Sequence, residues 1–300
     1  MSILDARPDS FATAEQADAL LNAMSVDIED WFQVGAFETS IDRSDWNSLE
    51  HRVERNTDAV LELFAESGIQ ATFFILGWVA ERYPYLMQRI AAAGHEVASH
   101  GYDHKRVFTM TADQFRDDLE RSTKLIEDAS GQKITGYRAP SFSIDQRTAW
   151  AHEILAEQGY SYSSSVAPIH HDHYGWAGSP RFAWTPVSGS DLIELPVTTV
   201  KFAGRVFAAG GGGFFRLLPS AIYNWSIRKM HREDGRGAIF YFHPWEIDPG
   251  QPRVENAPIK SKLRHYTNLR SMRSKLMRAG KAYKWGRVDE LAALEKGLMQ

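Results

Sequence analysis

The feature that most restricts what this chain can fold into is the alternation of short apolar runs with amphipathic stretches of helical period. Ile69-Gln70-Ala71-Thr72-Phe73-Phe74-Ile75-Leu76-Gly77 is nearly continuous in apolar, β-favouring residues, the mark of a strand covered on both faces. Just before it, Thr57 to Ser67 places Val60, Leu61, Leu63 and Phe64 on or near one helical face, with Gly68 where a C-cap is expected. Pro84 suits a first helical turn, and Leu86, Ile90 and Ala93 carry that helix to Gly94. Further strands are expected at Ala23–Val26, His95–Ser99, Lys133–Tyr137, Leu192–Val200 and Ala238–Phe242, with helices at Thr111–Ala129, Gln146–Gln158 and Pro219–His231. Such repetition predicts an α/β fold of parallel strands joined by right-handed crossovers, in which functional residues collect at the C-terminal strand ends.

Candidate residues lie at those ends. The first strand runs into Asp27-Ile28-Glu29-Asp30, three carboxylates within four positions. Burying them together is costly unless a cation or a shared proton compensates, whereas an acidic turn in water needs neither. The strand at His95–Ser99 delivers His100 and His104, which can face one point from a single turn of backbone and bind one divalent metal; Gly101 between them suggests a tight turn. Arg138 and His243 each follow another strand.

Composition narrows the chemistry. Among 300 residues there is no cysteine, so disulfides, thiolate nucleophiles and Cys-held zinc are excluded, and any metal must be held by His and carboxylates. The formal charge of −4, from 34 basic and 38 acidic residues, gives no overall basic excess, and no nucleic-acid partner is expected. Residues 1–22 read as an irregular leader without a secretory pattern, and no run of eighteen apolar residues occurs, so no membrane span is expected and the cytoplasm is the default compartment, with a peripheral inner-membrane location as the variant. Residues 23–300 read as one domain with a basic helical extension from about 255, including a helix over Lys260–Gly280. The His170-His171-Asp172-His173 stretch reads as a polar loop. The Gly210–Gly213 run lacks a phosphate-loop pattern and reads as flexible or as a close approach to substrate.

Taken in order over about residues 23–250, these motifs resemble the polysaccharide deacetylases, the NodB-homology carbohydrate esterases of family four. The Asp27–Asp30 cluster is similar to the family's first motif, Ala71–Gly77 to A-T-F-F-x-x-G, His100–His104 to H-[ST]-x-x-H, Arg138-Ala139-Pro140 to R-x-P, and His243 to the late catalytic histidine. The strings around Asp27, Arg138 and His243 look like the subgroup encoded with exopolysaccharide and exosortase systems, although Tyr162-Ser163-Ser164-Ser165 replaces that subgroup's Tyr-Asp-Ser-Ser. The resemblance implies a distorted (β/α) barrel of about seven parallel strands with loop insertions. It implies removal of N-acetyl groups from an amino-sugar glycan, a polymer or a lipid-linked oligosaccharide. Asp27 would be the base, Arg138 its partner and His243 the acid. A divalent metal, zinc first with cobalt or nickel as alternatives, would sit on His100, His104 and either Glu29 or Asp30. Tyr102, Pro140 and Trp245 would touch substrate, and Trp176, Trp184, Phe214 and Phe215 would supply rings for stacking on sugars. Hydrolysis of a small cyclic amide, as in allantoinases, and a catalytically silent glycan-binding protein are the competing readings.

Overall fold

The computed structural model describes residues 20–170 and 175–299; all but the last residues of the expected leader, and His171 and His173, lie outside the described residues. In chain order the elements that build the sheet and its covering are β1 (Asn22–Ile28), α1 (Val53–Ser67), β2 (Thr72–Ile75), α2 (Gly77–Arg82), α3 (Pro84–Ala92), β3 (Glu96–Ser99), α4 (Ala112–Ser130), β4 (Gly136–Tyr137), α5 (Trp150–Glu157), β5 (Tyr162–Ser163) and β6 (Ile193–Glu194). There follow a hairpin, β7 (Thr199–Phe202) and β8 (Arg205–Ala208), then α6 (Gly212–Leu217), α7 (Ser220–Asp234), β9 (Ile239–Phe242), α8 (Ile259–Tyr266), α9 (Leu269–Ala282), β10 (Trp285–Gly286) and α10 (Val288–Met299).

Eight strands form one parallel sheet in the order β10-β1-β2-β3-β4-β5-β6, with β9 also paired to β1. The sheet curls into a distorted (β/α) barrel that closes imperfectly. Between β6 and β9 the described residues show no ladder; Thr198 bridges the gap instead, its Oγ1 accepting from Ile239 N at 2.6 Å. Local chemistry fixes the covering helices. Thr111 and Gln114 cap α4 reciprocally, and Gly131 ends it at φ +70°.

Strand parity decides what enters the barrel, because side chains alternate between faces. On β1, Met24, Val26 and Ile28 join the large core beneath the helices, whereas Ala23 packs with Phe74, Ala98, Tyr162, Ile193 and Ile239. Asp27 shares the parity of Ala23, as His100 does of Ala98 and His243 of Ile239. The same alternation that builds the inner layer therefore aims the chemically active side chains inward at its rim.

Six of the eight sheet strands coincide with the sequence-based expectation. Tyr162–Ser163 and Trp285–Gly286 were not expected, each being two residues long, too short for periodicity to register. The strand expected at Leu192–Val200 is two strands, since Pro196 lacks a ladder donor and the chain leaves the sheet for the hairpin. The helix expected over Lys260–Gly280 is also two, broken at Asn268, whose φ is +59°. The glycine run packs tightly: Gly211 bridges to Tyr241, and a Cβ at Gly212 would enter the space of the Glu246 carboxylate. Close backbone approach explains Gly210, Gly211 and Gly212, whereas Gly213 faces open space.

Candidate active site

The rim at the C-terminal ends of β1, β3, β4 and β9 brings Asp27, Glu29, His100, His104, Arg138 and His243 together. All but His243 are buried, and its side chain is 20% exposed. Two clusters share this ground. In the first, Arg138 Nη1 donates to Asp27 Oδ1 at 2.7 Å and to Ser25 Oγ at 2.8 Å, while its Nε and Nη2 bond Ser164 O and Oγ. The guanidinium lies 4.1 Å from the centre of the Phe74 ring. A completely buried arginine is tolerated there because carboxylate, hydroxyls and carbonyl replace its water.

In the second, one donor atom from each of Glu29, His100 and His104 lies within 4.8 Å of the other two. His100 Nδ1 is 2.7 Å from the Arg138 carbonyl oxygen, so that nitrogen carries the proton and Nε2 keeps a free lone pair, the usual arrangement of a ligating histidine. Burial holds His100 neutral by lowering its pKa to about 4. Glu29 Oε2, 3.0 Å from His104 Nε2, is buried with no hydrogen bond of good geometry. An orphaned carboxylate oxygen facing two imidazoles, one of them fixed as the neutral tautomer, is the donor set of a divalent cation, and these residues fit one. Burial would raise the Glu29 pKa, but His104 and His243 outweigh it and lower it to about 2. His104 is held at φ +59°, a strained conformation for a residue with a side chain, with Arg43 donating to the carbonyl of Asp103 at 3.1 Å.

His243 closes the site. Its Nε2 is 3.3 Å from Glu29 Oε1 and its Nδ1 is 2.9 Å from Glu246 Oε1. Burial would lower its pKa, but Glu29, Glu246 and Asp27 outweigh it and raise it to about 9.

The structure takes Asp30 out of the metal-type group. Its Oδ2 accepts from the backbone of Arg52 at 2.6 Å and Val53 at 2.9 Å, and its Oδ1 from Trp31 N, so it serves the start of α1. Of the residues expected at the substrate, Tyr102 turns away: its hydroxyl donates to Glu81 and Arg121 covers its ring. Its backbone N–H, a candidate oxyanion donor, is spent on Asp118. Pro140 is buried against the Gly101 turn. Trp245 lies between His243 and His265, stacked on both, with its Nε1 3.3 Å from Glu29 Oε1. These side chains shape the site from behind. Phe215 is likewise core, Trp176 and Trp184 are half-buried, and Phe214 is exposed. Ser163, Ser164 and Ser165 are fully buried and hold Arg138 and Ala139 in place.

Sequence reasoning missed three residues. Glu246 holds His243 and is itself held by Arg216 Nε at 2.6 Å; the His-x-x-Glu spacing was readable, but Arg216 lies 30 positions away. Gln33 lines a small cleft beside His104 with Phe32, Gly35, Arg43 and Trp46. Its Oε1 accepts from Asp30 N at 2.7 Å, leaving a buried Nε2 with no hydrogen bond.

Residues 43–163 match the family model of the polysaccharide deacetylases, and residues 164–293 match that of a domain of unknown function, DUF3473. The two meet at the end of β5, inside the one sheet. The chain is 38% identical over 153 residues to the peptidoglycan deacetylase of Helicobacter pylori, covering 46% of this chain and 50% of that protein. It is 27% identical over 145 residues to the chitooligosaccharide deacetylase of Rhizobium leguminosarum bv. trifolii, covering 48% and 60%. The chain thus spans about half the length of such curated relatives. Among solved structures, a Mycobacterium smegmatis protein assigned as a polysaccharide deacetylase superposes with a TM-score of 0.64 at 19% identity, over 98% of this chain and 96% of that one. Puue allantoinase superposes with a TM-score of 0.59 at 15% identity, over 96% and 93%; these two likenesses concern the fold. By the family-model match, residues 43–163 form a polysaccharide deacetylase domain, and it is over about this half of the chain that the curated deacetylases are similar.

Proposed function

We propose that this protein removes N-acetyl groups from an amino-sugar glycan, using a divalent cation held by Glu29, His100 and His104. The observation that carries this is the meeting, at one barrel rim, of an acid–base pair and a cation-type donor set: Asp27 tied to Arg138 at 2.7 Å, His243 tied to Glu246 at 2.9 Å, and the three donors between them. Zinc suits two imidazoles and a carboxylate, with cobalt or nickel as substitutes. Such a cation supplies Lewis acidity toward water and toward the acetyl carbonyl.

The chain's own residues supply the rest. Asp27, oriented by Arg138, takes a proton from the attacking water. His243 gives its Nε2 proton to the departing sugar nitrogen, while Glu246 holds Nδ1 and so fixes which nitrogen faces the substrate. Water adds across the amide, yielding acetate and a free amine. Gln33 Nε2, buried and unpaired beside His104, is positioned to donate to a substrate oxygen in the cleft.

The names of the curated relatives, a peptidoglycan deacetylase and a chitooligosaccharide deacetylase, support a β-linked N-acetylglucosamine polymer as the substrate class. Within that class, the exopolysaccharide-type motif strings favour a growing exopolysaccharide, and the absence of cysteine favours a reducing compartment. The test is mass spectrometry of N-acetylglucosamine oligomers after incubation with the purified protein, beside a small cyclic amide. Loss of acetyl groups from the oligomers alone is expected; cleavage of the cyclic amide alone would replace the proposal with the allantoinase-like reading.

A further inference from the structure

One surface of the molecule is unlike the rest. The β7–β8 hairpin projects from the barrel, turning tightly at Ala203 and Gly204, both at positive φ, and carries Phe202 at 53% exposure and Phe207 at 47%. Beside it stand Phe214 and Leu217 on α6 and Ile222 and Trp225 on α7, each at least 40% exposed. The hairpin meets α7 where the Phe202 ring lies edge to face on that of Trp225 at 5.3 Å, and α6 leads directly into α7 through Leu218 and Pro219. Six large apolar side chains together on one surface exceed the scattered exposure normal for a soluble face.

The charge around this patch points to its occupant. From Leu195 to Arg232 there is no acidic residue but six basic ones, and from Asn256 to Val288 none against ten. These 71 residues hold 16 of the chain's 34 Lys and Arg; the remaining 18 stand among all 38 acids, so the rest of the molecule is strongly negative. The second stretch is bound to the patch: Lys275 on α9 donates to the carbonyls of Phe215, Arg216 and Leu218, and Arg216 to those of Arg264 and Thr267. Some of these cations are engaged, Arg216 with Glu246, Lys229 with Glu233, Arg273 with Glu66 and Arg287 with Asp289. Lys201, Arg205, Arg228 and Arg232 are exposed around the apolar patch itself.

We propose that this face docks on an anionic lipid bilayer, with the hairpin tip and the α6–α7 side chains entering the headgroup layer and the acid-free basic belt lying over the lipid phosphates. Aromatic and aliphatic side chains ringed by Lys and Arg are the composition of an interfacial, non-spanning membrane contact. A second copy of this chain fits poorly, since an isologous contact would set one basic belt against another. A nucleic acid would use the cations but has no use for Leu217 and Ile222. The patch also adjoins the catalytic rim: α6 begins at Gly212, against Glu246, and ends at Leu217. A docked molecule would therefore present its active site close to the membrane surface. The inference does not rest on the deacetylase reading.

The test is flotation of the full chain with vesicles of equal parts phosphatidylglycerol and phosphatidylcholine, beside vesicles of phosphatidylcholine alone, at low and high salt. The expected result is roughly tenfold greater recovery with the anionic vesicles, reduced by salt, and a loss of about tenfold or more in Phe207→Asp and in Leu217→Asp. Both positions are exposed and outside the catalytic residues, so an unchanged melting temperature and unchanged acetate release from soluble oligomers would show that the fold and site persist. Wild-type protein that stays in the soluble fraction with both vesicles overturns the proposal, as does flotation that neither substitution alters. A concentration-dependent dimer abolished by Phe207→Asp, without flotation, overturns it in favour of self-association.

Discussion

Three neighbouring carboxylates have three different fates. Asp27 faces a buried guanidinium, Glu29 faces two imidazoles, and Asp30 is consumed by backbone amides. Substitutions at these positions should therefore have separable effects. Asp27→Asn should retain bound zinc by elemental analysis while the hydrolysis rate falls by roughly 10²–10⁴-fold, whereas His104→Ala should lose both metal and turnover. Wild-type metal content in His104→Ala would remove it from the ligand set. Glu246→Ala leaves Arg216, 1% exposed, without its carboxylate and should cost about 3–5 kcal/mol in denaturant unfolding. Glu246→Gln keeps one of the two acceptor oxygens that separately serve His243 and Arg216, so it should lose less stability than Glu246→Ala and turn over more slowly than wild type, with kcat moving more than KM. The sequence made the candidate residues visible but not their division of labour. Asp27, Glu29 and Asp30 are chemically alike on paper, and only the turn after β1 decides which oxygen meets which donor. Tyr102 misled for the same reason, since the turn at Gly101 throws its ring toward α2 and α4.

At the scale of elements, what the sequence cannot advertise is how distant pieces are fastened. Glu96 opens β3 at the opposite end of the barrel, where it accepts from Thr72 and Tyr162 and from Asp289 N in the first turn of α10. Burial, with Asp289 nearby, raises its pKa to about 8. The folded state thus holds this proton more tightly than the unfolded chain does. Its contribution is complete below about pH 4.5, is eroded as pH rises toward 8, and levels off above that. Glu96→Gln should remove the erosion, so its stability relative to wild type should rise between pH 5 and 8 by on the order of a few kcal/mol in denaturant titrations. A difference independent of pH would place the charge elsewhere. Long periodic helices such as α4, with its Thr111–Gln114 cap, were legible because each signal is local. The two-residue strands β5 and β10 were not, because their partners fix them: Tyr162 pairs with Gly136, and Trp285 with Asn22.

For the whole molecule, the strand–helix rhythm and the placement of chemistry at strand ends made the barrel legible from one sequence. The packing of the hairpin on α7 and of α9 on α6 was legible only once the chain was folded, since Phe202 meets Trp225, and Lys275 meets Phe215 and Leu218, across stretches that no local pattern spans. A cation on Glu29, His100 and His104 would join β1 to the turn after β3, so chelation should lower the thermal midpoint by roughly 5 °C, from about 2–3 kcal/mol of binding free energy at saturating metal. The same cation underlies the central claim, that this rim hydrolyses N-acetyl groups with metal assistance. The measurement that tests it most directly is acetate release from N-acetylglucosamine oligomers by the purified protein, before chelation, after it, and after zinc is added back. Release should stop on chelation and return with zinc in wild type but not in Asp27→Asn. Release unaffected by metal removal, or its absence from fully zinc-loaded protein, would contradict it.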